Sequence, residues 1–434
     1  MTEKNTKKSS LLIGADGTSY VIPFILITFC FALWGFANDI TNPMVKAFSD
    51  ILMMSNFEGA MVQMAFYGGY FVMAFPAAIY IKKFSYKSGI LMGLGLYALG
   101  ALLFFPASKM MMFWPYLMAY FIMTCGLSFL ETSANPYILS MGTEETSTRR
   151  LNFAQSFNPI GSILGMLVAQ RMILANLHAA SAAERAQMSP EELHNVTAAD
   201  LSTISYPYIL LSLIIIAVFL VIYFAKMPKK QDQDHTITVG QTLKRLIKNK
   251  RYYEGVIAQF FYVGVQIMCW TFIIHYATME LGMDAKTAQG YNIVAMLIFI
   301  CSRFISTYLM KYLTPGKMLM MFAIAGGVFT LGTIFIKGMT GLYCLVGISA
   351  CMSLMFPTIY GIALRGLGDD AKFGAAGLIM AILGGSVMPP LQGAIIDMGT
   401  IFSMPAVRIS FFLPFICFIV IGIYGYRAFK VFVK

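Results

Sequence analysis

One acidic residue lies in the middle of a long apolar run, where a charge is costly. Glu131 follows the almost wholly apolar residues 113–125 and precedes a second apolar stretch, residues 137–141. A run of this length predicts a membrane-spanning helix with Glu131 near its middle. A charged side chain there costs about 2.5 to 3.5 kcal/mol, so we expect Glu131 to face a protein interior or a water-filled path and to have a function. The alternative is an acid neutralised by protonation or by a buried partner, with no functional role.

Three amide or acid side chains occur within little more than one turn at the end of the first apolar run. Asn38 and Asn42 are spaced i, i+4, and Asp39 and Asn42 are spaced i, i+3, so each pair shares a helix face. Inside a membrane protein, this cluster predicts a cavity wall that offers hydrogen-bond donors and acceptors. The alternative places Asp39 in water at the outer end of the helix, because Lys46 and Asp50 follow closely.

Amide side chains recur at a spacing of three within residues 150–161. Asn152, Gln155 and Asn158 are therefore expected on one helix face. Neutral amides both donate and accept hydrogen bonds, which suits sugar hydroxyls better than ions. The alternative is that these amides bond neighbouring helices to one another.

A later apolar run combines amides with aromatic rings. Gln259, Tyr262, Gln266 and Trp270 follow one another at helical spacing. This alternation suits a pyranose, which has an apolar CH face and a set of hydroxyl groups, although an aromatic core stripe is the alternative. We predict that one cavity is walled by these aromatic residues and by Glu131, Asn38, Gln155, Asn158, Gln259 and Gln266.

Two further charged or titratable residues are expected near the ends of their helices. His275 should lie close to the outer rim. Arg303 should lie toward the cytoplasmic half of its helix, and we interpret it as a side chain that snorkels to the inner membrane surface.

Enzyme chemistry is not indicated. The sequence has no Ser-His-Asp set, no phosphate-cradling glycine loop, no HExxH motif and no paired His/Cys ligand spacing. Its seven cysteines lie in apolar segments, and we interpret them as small buried hydrophobic residues. We therefore predict no enzymatic activity, no cofactor and no metal.

The composition is that of an integral membrane protein. Hydrophobic residues make up 58% of the 434 residues and charged residues only 12%, with a mean hydropathy of +0.72. A soluble globular chain has about 25% charged residues. The net charge of +11 comes from short basic clusters between apolar spans, a pattern that indicates cytoplasmic loops and not nucleic-acid binding.

The apolar runs predict an all-α protein with twelve transmembrane helices, here called spans 1 to 12. Each is close to or above the ~20 residues that cross the hydrocarbon layer. The predicted bounds are residues 18–46, 56–81, 86–107, 110–141, 149–176, 204–226, 252–280, 285–310, 316–336, 341–365, 372–396 and 406–430.

The basic clusters also predict orientation and domain organisation. Most Lys and Arg residues fall on one side if both termini are cytoplasmic. We predict a cytoplasmic tail at 1–17, a six-helix bundle at 18–226, a cytoplasmic linker with an amphipathic helix at 227–250, and a second six-helix bundle at 251–434. Weak internal repeats, such as Gly35 with Gly264 and Pro136 with Pro357, favour two pseudo-symmetric bundles that rock around a site between them.

The chain resembles the major facilitator superfamily, and within it the fucose permease group, essentially from end to end. The loop signature of the superfamily after span 2 is degenerate, with Ala78 in place of a glycine and Lys82 in place of an acid. The most specific segments are residues 19–24, Leu33–Trp34, 63–67, 82–87, 130–136, 151–158, 258–266 and 357–359.

The resemblance implies the major facilitator fold and a function. A member of this group is expected to import a neutral monosaccharide, L-fucose above all, by proton symport across the bacterial inner membrane, and to work as a monomer in the lipid bilayer. Alternatives are another hexose or an amino sugar, sodium coupling, or a sensor that binds sugar without moving it.

The residues of the family map onto this chain with one exception. The glutamate of span 4 maps onto Glu131, and the span 5 glutamine and asparagine map onto Gln155 and Asn158. The family aspartate of span 1 aligns with Asn42, whereas Asp39 falls where the family has an asparagine. Either Asp39 has taken over the role of that acid, or Glu131 alone carries the proton, or coupling uses sodium.

Overall fold

The computed structural model describes residues 12–13, 18–41, 44–53, 56–178, 180, 182–228, 239–283, 285–401 and 403–432. These residues are almost entirely helical. Among them, eleven helical segments are long and apolar enough to cross a membrane, and the 28-residue helix Asn56–Lys83 accompanies them at the position predicted for span 2. Extended pairing occurs in an antiparallel pair of two-residue strands, Thr400–Ile401 and Met404–Pro405, and in a bridge between Ile13 and Ser19.

The first six spans follow the predicted order, and several are built from more than one helix. They are Val21–Thr41 with Met44–Ile51 (span 1), Asn56–Lys83 (span 2), Tyr86–Leu102 with Phe104–Met110 (span 3), Phe113–Ser140 (span 4), Glu144–Thr146, Ser147–Gln155, Asn158–Val168, Ala169–Ile173 and Leu174–Asn176 (span 5), and, after the short helix Ala182–Arg185, Pro190–Phe224 (span 6).

The remaining chain begins with a short helix, Val239–Lys248, in the segment where the linker helix was predicted. Arg245 of this helix donates to both carboxylate oxygens of Asp370 at 2.7 Å. The last six spans are Lys250–Leu281 (span 7), Ala285–Leu309 (span 8), Pro315–Phe335 (span 9), Met339–Met352 with Met355–Leu364 (span 10), Gly368–Asp370, Ala371–Met380, Ala381–Leu383 and Gly384–Ile396 (span 11), and Ala406–Ile409 with Phe412–Lys430 (span 12).

Span 6 begins at Pro190, well before the predicted residue 204. Ser189 accepts a hydrogen bond from the backbone N–H of Glu192 at 3.3 Å, which caps the helix, and Pro190 occupies its first turn. The predicted bound of the span followed hydropathy, and the polar first turns of this helix lie outside the apolar run.

Spans 5 and 10 are each interrupted near a proline. A proline has no N–H, so it cannot donate to the carbonyl four residues earlier. Pro159 leaves the carbonyl of Gln155 without this donor, and Pro357 does the same to the carbonyl of Ser353. The helices of both spans break close to these carbonyls, at residues 156–157 and 353–354.

The two halves of the chain meet at the ends that carry loops 142–146 and 365–370. Helix Met355–Leu364 of span 10 packs on helix Ser147–Gln155 of span 5, and helix Ala371–Met380 of span 11 packs on spans 2 and 4. Asn152 Nδ2 donates to Thr358 Oγ1 across this junction at 3.1 Å. The structure is therefore closed between the halves on the side of these loops.

Spans 1 and 5 cross so closely that glycine is required on both. A Cβ atom added to Gly35 would lie 2.0 Å from the carbonyl oxygen of Asn158, and one added to Gly161 would lie 1.8 Å from the carbonyl oxygen of Ala32. Both contacts are with backbone, which cannot move aside as a side chain can. Since Asn38 and Asn158 lie on these two helices, the crossing sets the distance between two predicted site residues.

We expect Gly161→Val to force spans 1 and 5 apart and to lower the free energy of unfolding by about 1 to 3 kcal/mol, as overpacking does. The measurement is the apparent melting temperature of the purified protein in detergent. Gly68→Val is the matched control, since nothing lies within 4 Å of a Cβ added at Gly68. Equal melting temperatures for the two variants would contradict the close crossing.

Candidate functional site

A cavity of about 200 Å³ lies between the two halves of the chain. Spans 1, 2 and 5 line it from the first half, and spans 7, 8, 10 and 11 line it from the second. The lining combines amide, acid and hydroxyl side chains with aromatic rings: Trp34, Asn38, Asp39, Thr41, Phe66, Tyr67, Tyr70, Gln155, Asn158, Pro159, Ser162, Tyr262, Val263, Gln266, Ile267, Trp270, Met296, Phe299, Arg303, Phe356 and Ile382.

The structure brings most of the predicted site residues to this cavity. Asn38, Asp39, Gln155 and Asn158 line it from the first half, and Tyr262, Gln266 and Trp270 line it from the second. Asn42 lies outside the described residues. Glu131 and Gln259 are fully buried and do not line the cavity.

Two amides of span 5 line the cavity and also bond to neighbouring helices. Gln155 Nε2 donates to Asn135 Oδ1 at 2.8 Å, and Asn158 Nδ2 donates to the carbonyl of Phe31 at 3.1 Å. These bonds join helices, and they also fix the orientation of two amides that line the cavity. Asn152 joins helices but does not line the cavity: it bonds to Thr358 of span 10 and is absent from the lining.

The second half contributes an aromatic wall. Trp270 donates from Nε1 to Ser349 Oγ at 3.2 Å, and its ring meets Phe299 edge to face at 4.9 Å between centroids. From the first half, Trp34 lies 6.5 Å from the Phe356 ring. Rings held in this way present fixed apolar faces to the cavity.

Arg303 does not snorkel to a membrane surface, so this prediction was wrong. Its side chain is 4% exposed, and its guanidinium lies 4.5 Å from the centre of the Phe299 ring. Nη1 donates to the carbonyl of Gln155 at 3.0 Å, and Nε donates to the carbonyl of Ser353. Arg303 thus connects span 8 to span 10 and crosses from the second half to the first.

The two carbonyls that Arg303 contacts are those that lost their helical donors to Pro159 and Pro357. A buried carbonyl without a donor is costly, and more so in a membrane. The planar guanidinium presents several N–H groups at fixed angles and can therefore satisfy two carbonyls at once. The sequence contains the two prolines, but only the fold shows which cation lies between the two carbonyls.

We expect Arg303→Lys to fail as a replacement, because an ammonium group lacks the fork that reaches both carbonyls. Leaving one buried carbonyl unsatisfied should lower the free energy of unfolding by about 2 kcal/mol. The apparent melting temperature in detergent measures this loss. Arg171→Lys, at an exposed arginine of span 5, is the control, and the interpretation fails if both variants melt with the wild-type protein.

Glu131 lies behind the cavity wall. It is 1% exposed, and its neighbours include Tyr70 of span 2 and Tyr360 of span 10. Neither carboxyl oxygen has a hydrogen-bond partner of normal geometry among the described residues. Glu131 is therefore close to the cavity but separated from it by aromatic side chains.

Asp39 is half-buried on the cavity side of span 1, near Tyr67. The helix ends two residues later, at Thr41, so the residue is both near a helix end and part of the lining. His275 is exposed.

Several lining residues were not singled out in the sequence. Tyr67, Tyr70 and Phe356 are aromatic residues in aromatic-rich spans, so composition did not distinguish them from core residues. Phe66 and Tyr70 of span 2 are four residues apart, which places them on one face. No comparable signal marks Phe356.

Comparisons with known proteins show the family of this chain. The family model of the Major Facilitator Superfamily matches residues 27–372. The chain is 55% identical over 418 residues to the L-fucose-proton symporter of Haemophilus influenzae, and the match covers 95% of this chain and 97% of that one. It is 27% identical over 409 residues to a glucose/galactose transporter of Brucella abortus, with 94% of each chain covered.

Solved structures give the same result. The fold matches a crystal structure of the fucose:proton symporter of Escherichia coli with a TM-score of 0.87 and 36% identity, covering 95% of this chain and 99% of that chain. A crystal structure of a major facilitator transporter in the outward conformation matches with a TM-score of 0.85, also at 36% identity, covering 94% of this chain and 99% of that chain. The fold class and the family resemblance predicted from the sequence are confirmed.

Proposed function

The chain belongs to the major facilitator superfamily, and we propose that it imports L-fucose together with a proton by alternating access. It is a membrane transporter and not an enzyme. The observation that carries the proposal is a cavity between the two halves, lined by amides and aromatic rings, with a buried carboxyl group directly behind its wall.

The cavity suits a neutral sugar. Asn38, Gln155, Asn158 and Gln266 offer amide groups to hydroxyls, and Trp34, Tyr262 and Trp270 offer ring faces to the apolar side of a pyranose. Span 5 amides already bonded to neighbouring helices need little reordering on binding, which favours affinity. The role of each of these residues in sugar binding is part of the proposal, and so is a role for Asn42.

Glu131 is proposed as the proton carrier. A carboxyl group in such a buried place is costly to ionise without a partner. It would take up a proton from the outer side, keep it while sugar is bound, and release it when the halves rock and expose the site to the cytoplasm. The role of Asp39 in this step is open, since this chain has Asn42 where the family has its acid.

The structure is closed on the side of loops 142–146 and 365–370, and we propose that this side is cytoplasmic. The distribution of basic residues supports N- and C-termini in the cytoplasm of a bacterium, with the protein in the inner membrane. We propose two bundles, residues 18–226 and 251–434, that rock as units, and a monomer as the working form. Opening toward the cytoplasm must then break the bonds from Arg303 to Gln155 and from Asn152 to Thr358.

The central experiment is uptake of labelled L-fucose into proteoliposomes under separately imposed proton and sodium gradients. Accumulation driven by the proton gradient alone is expected. Accumulation driven only by sodium would refute proton coupling, and the absence of any fucose flux would refute transport of this sugar and favour a sensor.

We expect Glu131→Gln to abolish proton-driven accumulation while fucose exchange across the membrane continues. The amide keeps the size of the side chain but cannot cycle a proton. Exchange and accumulation are measured in the same proteoliposomes. Full accumulation by the variant would remove Glu131 from the coupling role.

Asp39→Asn distinguishes the two assignments of the span 1 acid. If Asp39 has taken over the coupling role, this variant also exchanges fucose without accumulating it. If Glu131 acts alone, accumulation persists and only the affinity for sugar changes, because Asp39 lines the cavity. Asp39→Asn combined with Asn42→Asp, which restores the family pattern, should then rescue coupling only in the first case.

The Brucella relative provides a specific reason to consider another hexose. Competition of labelled fucose uptake by unlabelled galactose, glucose and an amino sugar separates the two cargoes. Stronger competition by galactose or glucose than by fucose itself would reassign the substrate.

A further inference from the structure

Two aromatic residues that line the cavity turn their polar atoms away from it. Trp34 and Tyr70 both belong to the lining, yet Trp34 Nε1 and Tyr70 Oη are fully buried. Neither atom has a hydrogen-bond partner of normal geometry among the described residues. The two rings therefore line the cavity, while Trp34 Nε1 and Tyr70 Oη face the protein interior.

Those polar ends meet beside Glu131. The Tyr70 hydroxyl lies next to the Glu131 carboxyl group on one side and next to the Trp34 indole on the other. Three buried polar groups in a row, Trp34 Nε1, Tyr70 Oη and the Glu131 carboxyl, thus lead from the cavity wall to the acid. Tyr70 is the middle member of this row.

The register of spans 2 and 4 fixes Tyr70 against Glu131. Ser128, one turn before Glu131 on span 4, donates from Oγ to the backbone carbonyl of Tyr70 at 3.1 Å. A Cβ added to the adjacent Gly69 would lie 2.1 Å from Thr124 Oγ1, so the two helices are in direct contact there. Span 1 is held to span 3 by a hydrogen bond from the Tyr97 hydroxyl to the carbonyl of Leu33 at 2.9 Å. Leu33 is the residue before Trp34.

The donor and acceptor properties of the three groups determine the direction in which hydrogen bonds can run along the row. An indole N–H only donates, an ionised carboxylate only accepts, and a phenol does both. With Glu131 ionised, Tyr70 can accept from Trp34 and donate to the carboxylate. A hydrogen bond to an ionised group is roughly twice as strong as a neutral one, so protonation of Glu131 weakens this anchor.

We propose that the Tyr70 hydroxyl is a positioning group that links the protonation of Glu131 to the placement of the Trp34 and Tyr70 rings in the sugar cavity. This inference rests on the proposed function and deepens it. It explains how an acid that does not reach the sugar can affect sugar binding: ionised Glu131 holds the two rings back through Tyr70, and protonated Glu131 releases them to close on the sugar.

Other titratable and charged groups lie nearby in the described part of the chain. Tyr360 of span 10 also faces Glu131, and Tyr97 of span 3 lies near Tyr70. Arg150 of span 5 donates to the carbonyls of Ile138 and Leu139, and the Lys372 ammonium of span 11 lies 5.2 Å from the Tyr86 ring. Asp39 of span 1 lines the cavity near Tyr67.

The test is Tyr70→Phe, which keeps the ring and removes the hydroxyl. In proteoliposomes, we expect the ratio of proton-driven accumulation to exchange of L-fucose to be about tenfold lower than in the wild-type protein, the effect of losing one hydrogen bond to a charged group. In the wild-type protein, fucose should bind more tightly in mildly acidic than in mildly alkaline buffer, since sugar and proton favour each other's binding. Tyr70→Phe should bind fucose with nearly the same affinity in both.

Tyr116→Phe is the matched control. Tyr116 is another fully buried tyrosine, its hydroxyl lies 3.4 Å from Ser205 Oγ, and it does not line the cavity. This variant should keep the wild-type accumulation and the wild-type pH dependence of binding.

Several outcomes would overturn the inference. A Tyr70→Phe protein with wild-type accumulation and wild-type pH dependence overturns the inference but not the proposed function. A folded Tyr70→Phe protein that loses exchange together with accumulation also overturns the inference, because the hydroxyl would then serve sugar binding itself. If Tyr70→Phe does not fold, Trp34→Phe must abolish the pH dependence by interrupting the row at its other end, and a preserved dependence refutes the inference. A wild-type protein without fucose exchange refutes the proposed function, and the inference falls with it.

Discussion

Two backbone carbonyls in the middle of the protein lack their helical donors, and one arginine satisfies both. The carbonyls of Gln155 and Ser353 precede Pro159 and Pro357 by four residues, and Arg303 donates to each of them. In a membrane there is no bulk water to replace such a donor, so an internal one is needed. Because Gln155 belongs to the first half and Ser353 to the second, the bonds that satisfy the backbone also hold the halves together. The cavity, the amide of Gln155 and the closed side of the structure all depend on this arrangement.

The cavity wall and the buried acid are separate parts of the structure. Amides and rings from both halves surround the cavity, whereas Glu131 lies behind Trp34 and Tyr70. This separation keeps the carboxyl group out of the cavity. In the proposed function, protonation of Glu131 therefore acts through the wall and not by direct contact with the sugar.

The same side chains join helices and line the cavity. Gln155 and Asn158 bond to Asn135 and Phe31 across helices and still line the cavity. The close crossing of spans 1 and 5 at Gly35 and Gly161 brings these amides toward Asn38. Functional groups on rigid, mutually bonded helices are positioned more precisely than groups on loops, and here the cost of burying amides is offset by the bonds that fix them.

The sequence by itself determined the properties that depend on composition and periodicity. The length of the apolar runs gave the order of the spans, and helical spacing brought forward Asn38, Asp39, Gln155, Asn158, Tyr262, Gln266 and Trp270, all of which line one cavity. Burial of Glu131 also followed from the sequence, because an acid within an apolar run must be buried or in contact with water.

Only the tertiary structure decided what depends on contacts between distant spans. The spacing of Gln259 matches that of Tyr262 and Gln266, yet its side chain is buried and does not line the cavity. Helical periodicity shows which residues share a face but not which other helix that face contacts. Arg303 looked like a surface-seeking side chain because its partners, two carbonyls on spans 5 and 10, are distant in the chain. The position of Glu131 behind Tyr70 could not be predicted from the sequence for the same reason. The register of spans 2 and 4 is set by contacts such as that of Ser128 with Tyr70, between residues 58 positions apart.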